Sequence, residues 1–185
     1  MKRRLILLGA ALAAGAALAQ TGARPYKLVV PFAAGTSTDI VGRVLAEALS
    51  RPLAQPVIVE NKPGAGGSIG SDLVAKSGAD GQTLLLGTVG THAINPSLYK
   101  RLPYQPLRDF TPLGFVGATP TLLVVPAASP WKSLADLRGA NDKDVNFASA
   151  GNGTSGHLAG ETLNLRLGKS FVHVPYRDGA QAMTE

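Results

Sequence analysis

Short apolar runs alternate along this chain with turns of glycine, serine and threonine and with segments of helical periodicity. That alternation confines it to one class of fold. Tyr26-Lys-Leu-Val-Val-Pro-Phe32 opens the series as a strand. Ile40, Val41, Val44, Leu45, Ala48 and Leu49 then recur at helical spacing and predict a helix over residues 37–51, with Thr36, Ser37, Thr38 and Asp39 as N-cap candidates. Val57-Ile-Val-Glu60 reads as a second strand, residues 61–67 as a loop, and Leu73, Val74 and Ala75 as part of the following helix. Asp80-Gly81 marks a turn and Thr83-Leu-Leu-Leu-Gly87 a buried third strand. Strands and helices alternating at this spacing predict an α/β fold with mainly parallel strands, whose ligand-binding loops gather at the carboxyl ends of the strands.

Residues 113–126 are a long apolar stretch read as a strand segment. Glycine and proline in its middle argue against one uninterrupted central strand and mark a crossing into a second lobe. Val145-Asn-Phe-Ala148 and Phe171-Val-His-Val174 would be strands of that lobe, with a helix over residues 155–167 between them. This gives a first lobe over residues 20–120 and part of a second over residues 121–185. Gly179-Ala-Gln-Ala-Met-Thr-Glu185 starts a helical pattern without reaching a cap, so the chain is expected to be the front part of a longer protein.

Between the strand ending near Ala148 and the helix beginning near Leu158 lie Gly151, Asn152, Gly153, Thr154, Ser155 and Gly156. Small residues let backbone approach a ligand, and a helix N-terminus aims free N–H groups at it, so this turn fits a small anion. It contains no acid or base. Residues 32–39, 64–68 and the loop 87–96 have a similar composition and position. One glycine-rich turn is explained by steric need alone. Several of them, spread over two lobes, predict facing walls of a binding cleft. His157 stands at the start of the helix, and Tyr176 and Arg177 follow the last strand, where Arg177 could clamp a carboxylate.

The N-terminus reads as an export signal over residues 1–19. Lys2, Arg3 and Arg4 precede an uncharged apolar run from Leu5 to Leu18, and Ala17-Leu-Ala19 supplies a small-x-small cleavage site. The run is shorter than a membrane span needs. Arg3-Arg4 fits a loose twin-arginine pattern, though nothing indicates a cofactor loaded before export. The expectation is a soluble periplasmic protein. The chain carries 18 basic and 12 acidic side chains, and loss of the three signal residues lowers the excess from +6 to +3. That charge is scattered, without the stripe that nucleic-acid binding requires. With no cysteine, disulfides, thiol catalysis and a lipidated cysteine anchor are excluded.

Nucleotide motifs fail: Leu163 occupies the glycine position that would precede Gly168-Lys-Ser170 in a phosphate loop, and Ile69 stands where Gly64-x-Gly66 needs its third glycine. Gly66-Gly-Ser-Ile-Gly70 formally matches a serine-hydrolase motif. A nucleophile elbow needs its serine directly after a strand, whereas Asn61 to Ala65 intervene, and helix capping explains Ser68 more simply. A secreted serine hydrolase using Ser68 is the alternative reading. His92, His157 and His173 lack metal-ligand spacing, so neither a metal nor a cofactor is expected. The effector domain of a transcription regulator would share a two-lobed fold, but the export signal occupies the place of its DNA-binding module.

With these segments in place the chain resembles the Bug family, the extracytoplasmic receptors of tripartite tricarboxylate transporters. Pro31-Phe-Ala-Ala-Gly-Thr-Ser-Thr-Asp-Ile-Val-Gly-Arg43 is similar to the family's P-F-x-A-G-G-x-x-D-x-x-A-R. Asn61-Lys-Pro-Gly-Ala-Gly-Gly67, Asp80-Gly-Gln-Thr-Leu-Leu85, Asn95-Pro-Ser-Leu-Tyr99, Tyr104-Gln-Pro-Leu-Arg-Asp-Phe110, Ser149-Ala-Gly-Asn-Gly-Thr-Ser-Gly-His157 and His173-Val-Pro-Tyr176 resemble further family segments. The resemblance implies a periplasmic binding protein of the type II architecture, its second lobe incomplete here, that closes without turnover on a mono-, di- or tricarboxylate or an amino acid, for transport or for sensing. It implies membrane transporter subunits as partners and a monomeric receptor. The first turn and the Asn-Gly-Thr-Ser turn would grip the ligand, giving an expected site of Phe32, Ala34, Gly35, Thr36, Thr88, Ser149, Asn152, Gly153, Thr154, Ser155, His157, Tyr176 and Arg177. Thr36 departs from the family's second glycine, Gly42 from its alanine, and Arg177-Asp-Gly179 from a shorter Lys/Arg-Gly.

Overall fold

The computed structural model describes residues 24–184, so the export signal expected over residues 1–19 lies outside the described residues, as does Glu185. Two parallel sheets organise the chain. In the first, β1 (Tyr26–Val30) lies between β2 (Val57–Asn61) and β3 (Thr83–Leu85), parallel to both. The central place follows from composition: Leu28, Val29 and Val30 are all buried, and an unbroken apolar run suits a strand covered on both faces.

Helix α1 (Ser37–Leu53) connects β1 to β2. Thr36 caps it, its hydroxyl accepting the Asp39 N–H at 3.4 Å. The helix lies close on the sheet because small residues face it. A Cβ on Gly42 would stand 2.7 Å from Val30 Cγ2. Leu28, Val30, Ala46 and Leu86 form the core here, with Phe32, Val41, Leu45 and Val57 packed around them.

A 3-10 turn (Ala65–Gly67) then leads into α2 (Ser68–Ala75). After β3 the structure departs from expectation. Residues 87–96 were expected to form a loop. Instead a π-helical turn (Gly90–Ile94) runs into α3 (Asn95–Leu98). Thr91, wholly buried, explains the difference: its hydroxyl bonds the Thr88 backbone on both sides, and the Tyr104 hydroxyl donates to its carbonyl at 2.7 Å.

A second correction concerns residues 113–126. They form no strand, and every residue from 111 to 128 is exposed. A strand exists only with a neighbour to share its N–H and C=O groups, and this stretch pairs with neither sheet.

The second unit contains α4 (Leu134–Gly139), a 3-10 turn (Asp142–Asp144), β4 (Asn146–Ser149), α5 (Ser155–Leu167), β5 (Val172–Pro175) and α6 (Gly179–Thr184). β4 and β5 are parallel, with Phe147 opposite His173 and Ser149 opposite Pro175. Leu137, Val145 and Phe171 form its core with Trp131 and Leu167. Asn164 fastens the end of α5, exchanging two side-chain hydrogen bonds with the Phe171 backbone at 2.9 and 3.1 Å. Among the described residues no helix is long and apolar enough to cross a membrane.

Candidate functional site

Both sheets end in turns that lead into a capped helix. After β1, Gly35 adopts φ +83, and its N–H donates to Asp39 Oδ2 at 2.8 Å. The Asp39 carboxylate is buried and also accepts from Arg43 Nε at 3.0 Å and from Asn61 Nδ2 at 2.9 Å. Burial works to raise its pKa, but the donors from Arg43, Gly35 and Asn61 outweigh burial and hold it at about 2. Asp39 is therefore a structural anion that fixes the first turn. Thr36 Oγ1 donates to the Ala33 carbonyl at 2.8 Å, Ala34 and Gly35 are exposed, and Phe32 packs against the first core.

The turn after β4 is braced more heavily. The Thr154 hydroxyl donates to the Gly151 carbonyl at 2.7 Å and caps α5 by accepting the His157 N–H at 3.4 Å. Ser149 is buried; its Oγ accepts the Gly151 N–H at 3.1 Å and lies 2.7 Å from His173 Nε2. The His157 ring stacks on His173 with centroids 4.1 Å apart, and its Nδ1 accepts the Gly153 N–H at 3.3 Å. That bond requires a lone pair on Nδ1, so any proton of the neutral ring sits on Nε2, which faces Glu161 at 3.9 Å. The hydroxyls of Ser149 and Thr154 thus serve the turn itself. The N–H groups of Asn152, Ser155 and Gly156 carry no hydrogen bond among the described residues, at the positive end of a 13-residue helix.

A cleft of about 220 Å³ opens between the two units. Asn152, Tyr176 and Arg177, all expected at the site, line it on the second-unit side together with Ala150, Gly151 and Pro175. On the first-unit side the lining is Gly64, Ala65, Gly66 and Tyr99; residues 32–36 and Thr88 are not part of it. Thr88 instead holds the π-helical turn, its Oγ1 accepting the Thr91 N–H at 3.3 Å. Sequence reasoning noted the glycine-rich 64–68 turn but assigned it no site residue, and it passed over Tyr99. Burial, with Tyr104 nearby, pushes the Tyr99 phenol above its ordinary pKa and keeps it a neutral donor. Its Oη donates to the Asn152 carbonyl at 3.2 Å, across the cleft.

Arg177 is exposed at the mouth, and no acidic residue lines the cleft. The lining combines backbone amides, one guanidinium and the Tyr176 phenol as donors for an anion, while the Tyr99 hydroxyl is engaged with the Asn152 carbonyl. Ser68, the alternative nucleophile, is buried in a helical conformation (φ −67°) and accepts from Asn95 Nδ2 at 3.1 Å. It sits on no strained strand-to-helix elbow.

Two parallel α/β units meeting at an anion-compatible cleft define the periplasmic solute-binding class of fold. Residues 41–185 match the tripartite tricarboxylate transporter family receptor profile, and the chain belongs to that family. It is similar to the protein BugT of Bordetella pertussis, 41% identical over 167 residues, which covers 88% of this chain and 51% of BugT. Among solved structures it is similar to Rpa4515 of R. palustris with adipate (34% identity, TM-score 0.82, 89% of this chain and 56% of that one). It is likewise similar to MatC of Rhodopseudomonas palustris with bound malate (33% identity, TM-score 0.82, 88% and 56%). The chain spans about half the length of the curated relatives it matches.

Proposed function

We propose that this chain is the ligand-gripping part of a periplasmic receptor that captures a small carboxylate and hands it to the membrane subunits of a tripartite tricarboxylate-type transporter. The observation that carries the proposal is the cleft itself. The unpartnered Asn152 N–H and the Arg177 guanidinium supply positive potential in the lining, with no acid there to oppose them, and the start of α5 follows a few residues behind Asn152. The donors already line the cleft, an arrangement that suits capture with release. The lobes are assigned to residues 20–120 and 121–185, and the receptor is assigned as monomeric. The adipate and malate held by the two similar structures make dicarboxylates the first compounds to test, before monocarboxylates, tricarboxylates and amino acids.

The turns at residues 32–36 and 149–157 are assigned as opposing grips of the site. Thermal-shift screening against these acids, followed by calorimetry on any hit, tests the reading, since a ligand bound only by the folded state raises its stability by mass action. Arg177→Gln should weaken binding about tenfold or more, as loss of a charge-assisted hydrogen bond costs about 1.5–3 kcal/mol. Thr154→Val with Ser155→Ala should weaken it by loosening the turn. Unchanged affinity in both variants would remove this turn and Arg177 from the site. Esterase activity in the wild type, lost in Ser68→Ala, would instead favour the hydrolase.

A further inference from the structure

The two walls of the cleft meet at positions that carry no side chain of their own. The Asn152 carbonyl lies where a Cβ on Gly66 would stand, and Asn95 Oδ1 lies where one on Gly153 would stand. The Gly153 carbonyl is 2.8 Å from the Cβ position of Gly90, too short for a carbon–oxygen contact. Gly66 and Gly153 have positive φ, so their backbones also favour glycine. Gly90 differs. It begins a helical turn without positive φ, and alanine would suit its backbone; what an added methyl would strike is the opposite wall.

Asn95 sits at the centre of this seam and is wholly buried. Its Nδ2 donates to the Gly66 carbonyl and to Ser68 Oγ, both at 3.1 Å, while its Oδ1 faces Gly153 without a hydrogen-bond partner. Tyr99 closes the seam on the cleft side through its bond to the Asn152 carbonyl. One first-unit side chain therefore holds its own wall by one end and abuts the other wall with the second.

We propose that Gly66, Gly90 and Gly153 form a glycine seam that is the stop against which the two lobes close, with the missing Cβ of Gly90 permitting the approach and Tyr99 latching it. A methyl at position 90 would hold the backbones apart at the base of the cleft and leave its mouth wide. The seam rests on the two-lobed receptor reading, but its test needs no ligand.

The chain has no cysteine, so Ala48→Cys on α1 and Arg166→Cys on α5 provide two unique labelling sites on exposed positions. Pulsed dipolar spectroscopy on the spin-labelled protein should show a short-distance population. Gly90→Ala should move at least half of that population to longer distance, and Tyr99→Phe a smaller share. Gly139→Ala, where an added Cβ meets nothing within 4 Å, should leave the distribution unchanged. Far-UV circular dichroism establishes that each variant is folded; should Gly90→Ala fail to fold, Tyr99→Phe, which removes one oxygen atom, decides alone. Distributions in Gly90→Ala and Tyr99→Phe that match the wild type would overturn the seam. Titration of malate and adipate into the same proteins separates the two claims: a wild type that binds neither defeats the dicarboxylate reading, while the distances still decide the seam.

Discussion

Asn61 Nδ2 donates to Asp39 Oδ1 at 2.9 Å and to the Phe32 carbonyl at 3.0 Å, so the end of β2 holds both the start of α1 and the turn after β1. Because the donors around Asp39 hold its carboxyl at about 2 rather than the ordinary 3.8, ionised Asp39 stabilises the fold. The contribution is fully present above the unfolded value of 3.8 and is lost as pH falls through about 2. Its size is roughly 2 kcal/mol, from about 1.4 kcal/mol per pKa unit. Asp39→Asn should lower stability in urea by about that amount at neutral pH and flatten the dependence between pH 4 and 2. A variant as stable as the wild type at pH 7 would show the network to be incidental.

The histidines predict a change in a different pH window. Burial lowers the pKa of His92, and burial together with neighbouring His157 lowers that of His173, against a smaller opposing effect of Glu161. Both are thus favoured in the neutral form by the fold. Their contribution is complete above the ordinary value of 6.5 and declines as pH falls through 6.5 towards the lower folded values. Thermal midpoints should therefore drop between pH 7 and 5.5. His173→Gln, which retains a polar partner for Ser149, should reduce the slope of that drop; an identical slope would assign the effect to other groups.

Gly42 sets two known effects against each other. Replacing a helical glycine with alanine gains up to about 1 kcal/mol of helix propensity. Here the new methyl would sit 2.7 Å from Val30 Cγ2, in a core whose central strand is buried on both faces, and overpacking of that kind costs about 1–3 kcal/mol. The second effect should win, and Gly42→Ala should lower the urea midpoint. Gly139→Ala, in the open, should leave it level or raise it.

Much of this architecture was legible because the signals were local. The apolar run at Leu28, Val29 and Val30 marks the first strand and Thr36 the helix it caps, whereas the burial expected of the third strand falls on the first, because β3 lies at the edge of the sheet. The α4 helix was missed despite its own signal, Ser133 accepting the Asp136 N–H at 3.2 Å in an S-x-x-D pattern, because only six residues follow. The π-helical turn at Gly90–Ile94 could not be read locally. Glycine and proline mark it as a loop, and the Tyr104 hydroxyl that fastens it comes from 13 positions away. The cleft shows the same division. Asn152, Tyr176 and Arg177 stand at strand ends, where composition points, while Tyr99 joins the lining only because tertiary packing carries α3 to the opposite wall.

The exposed stretch at residues 111–128 yields the last prediction. Leu113, Phe115 and Leu122 are 81%, 85% and 75% exposed, values that leave their apolar surface in water. Neither sheet supplies hydrogen bonds to this backbone, so opening it for a protease disrupts no ladder. Residues 146–149 and 172–175, by contrast, are paired strands in the second unit, and β1 is buried at the centre of the first. Brief digestion with thermolysin, which cuts before large apolar residues, should therefore cleave first between residues 111 and 128. Two fragments should result, one carrying β1 to β3 and one carrying β4 and β5, each identifiable by mass. The same surface should bind an apolar fluorescent dye in the native protein, with the signal falling after a charged substitution such as Phe115→Glu. First cuts inside α1 or α5, with dye binding unaffected by Phe115→Glu, would mean that the stretch is covered in solution.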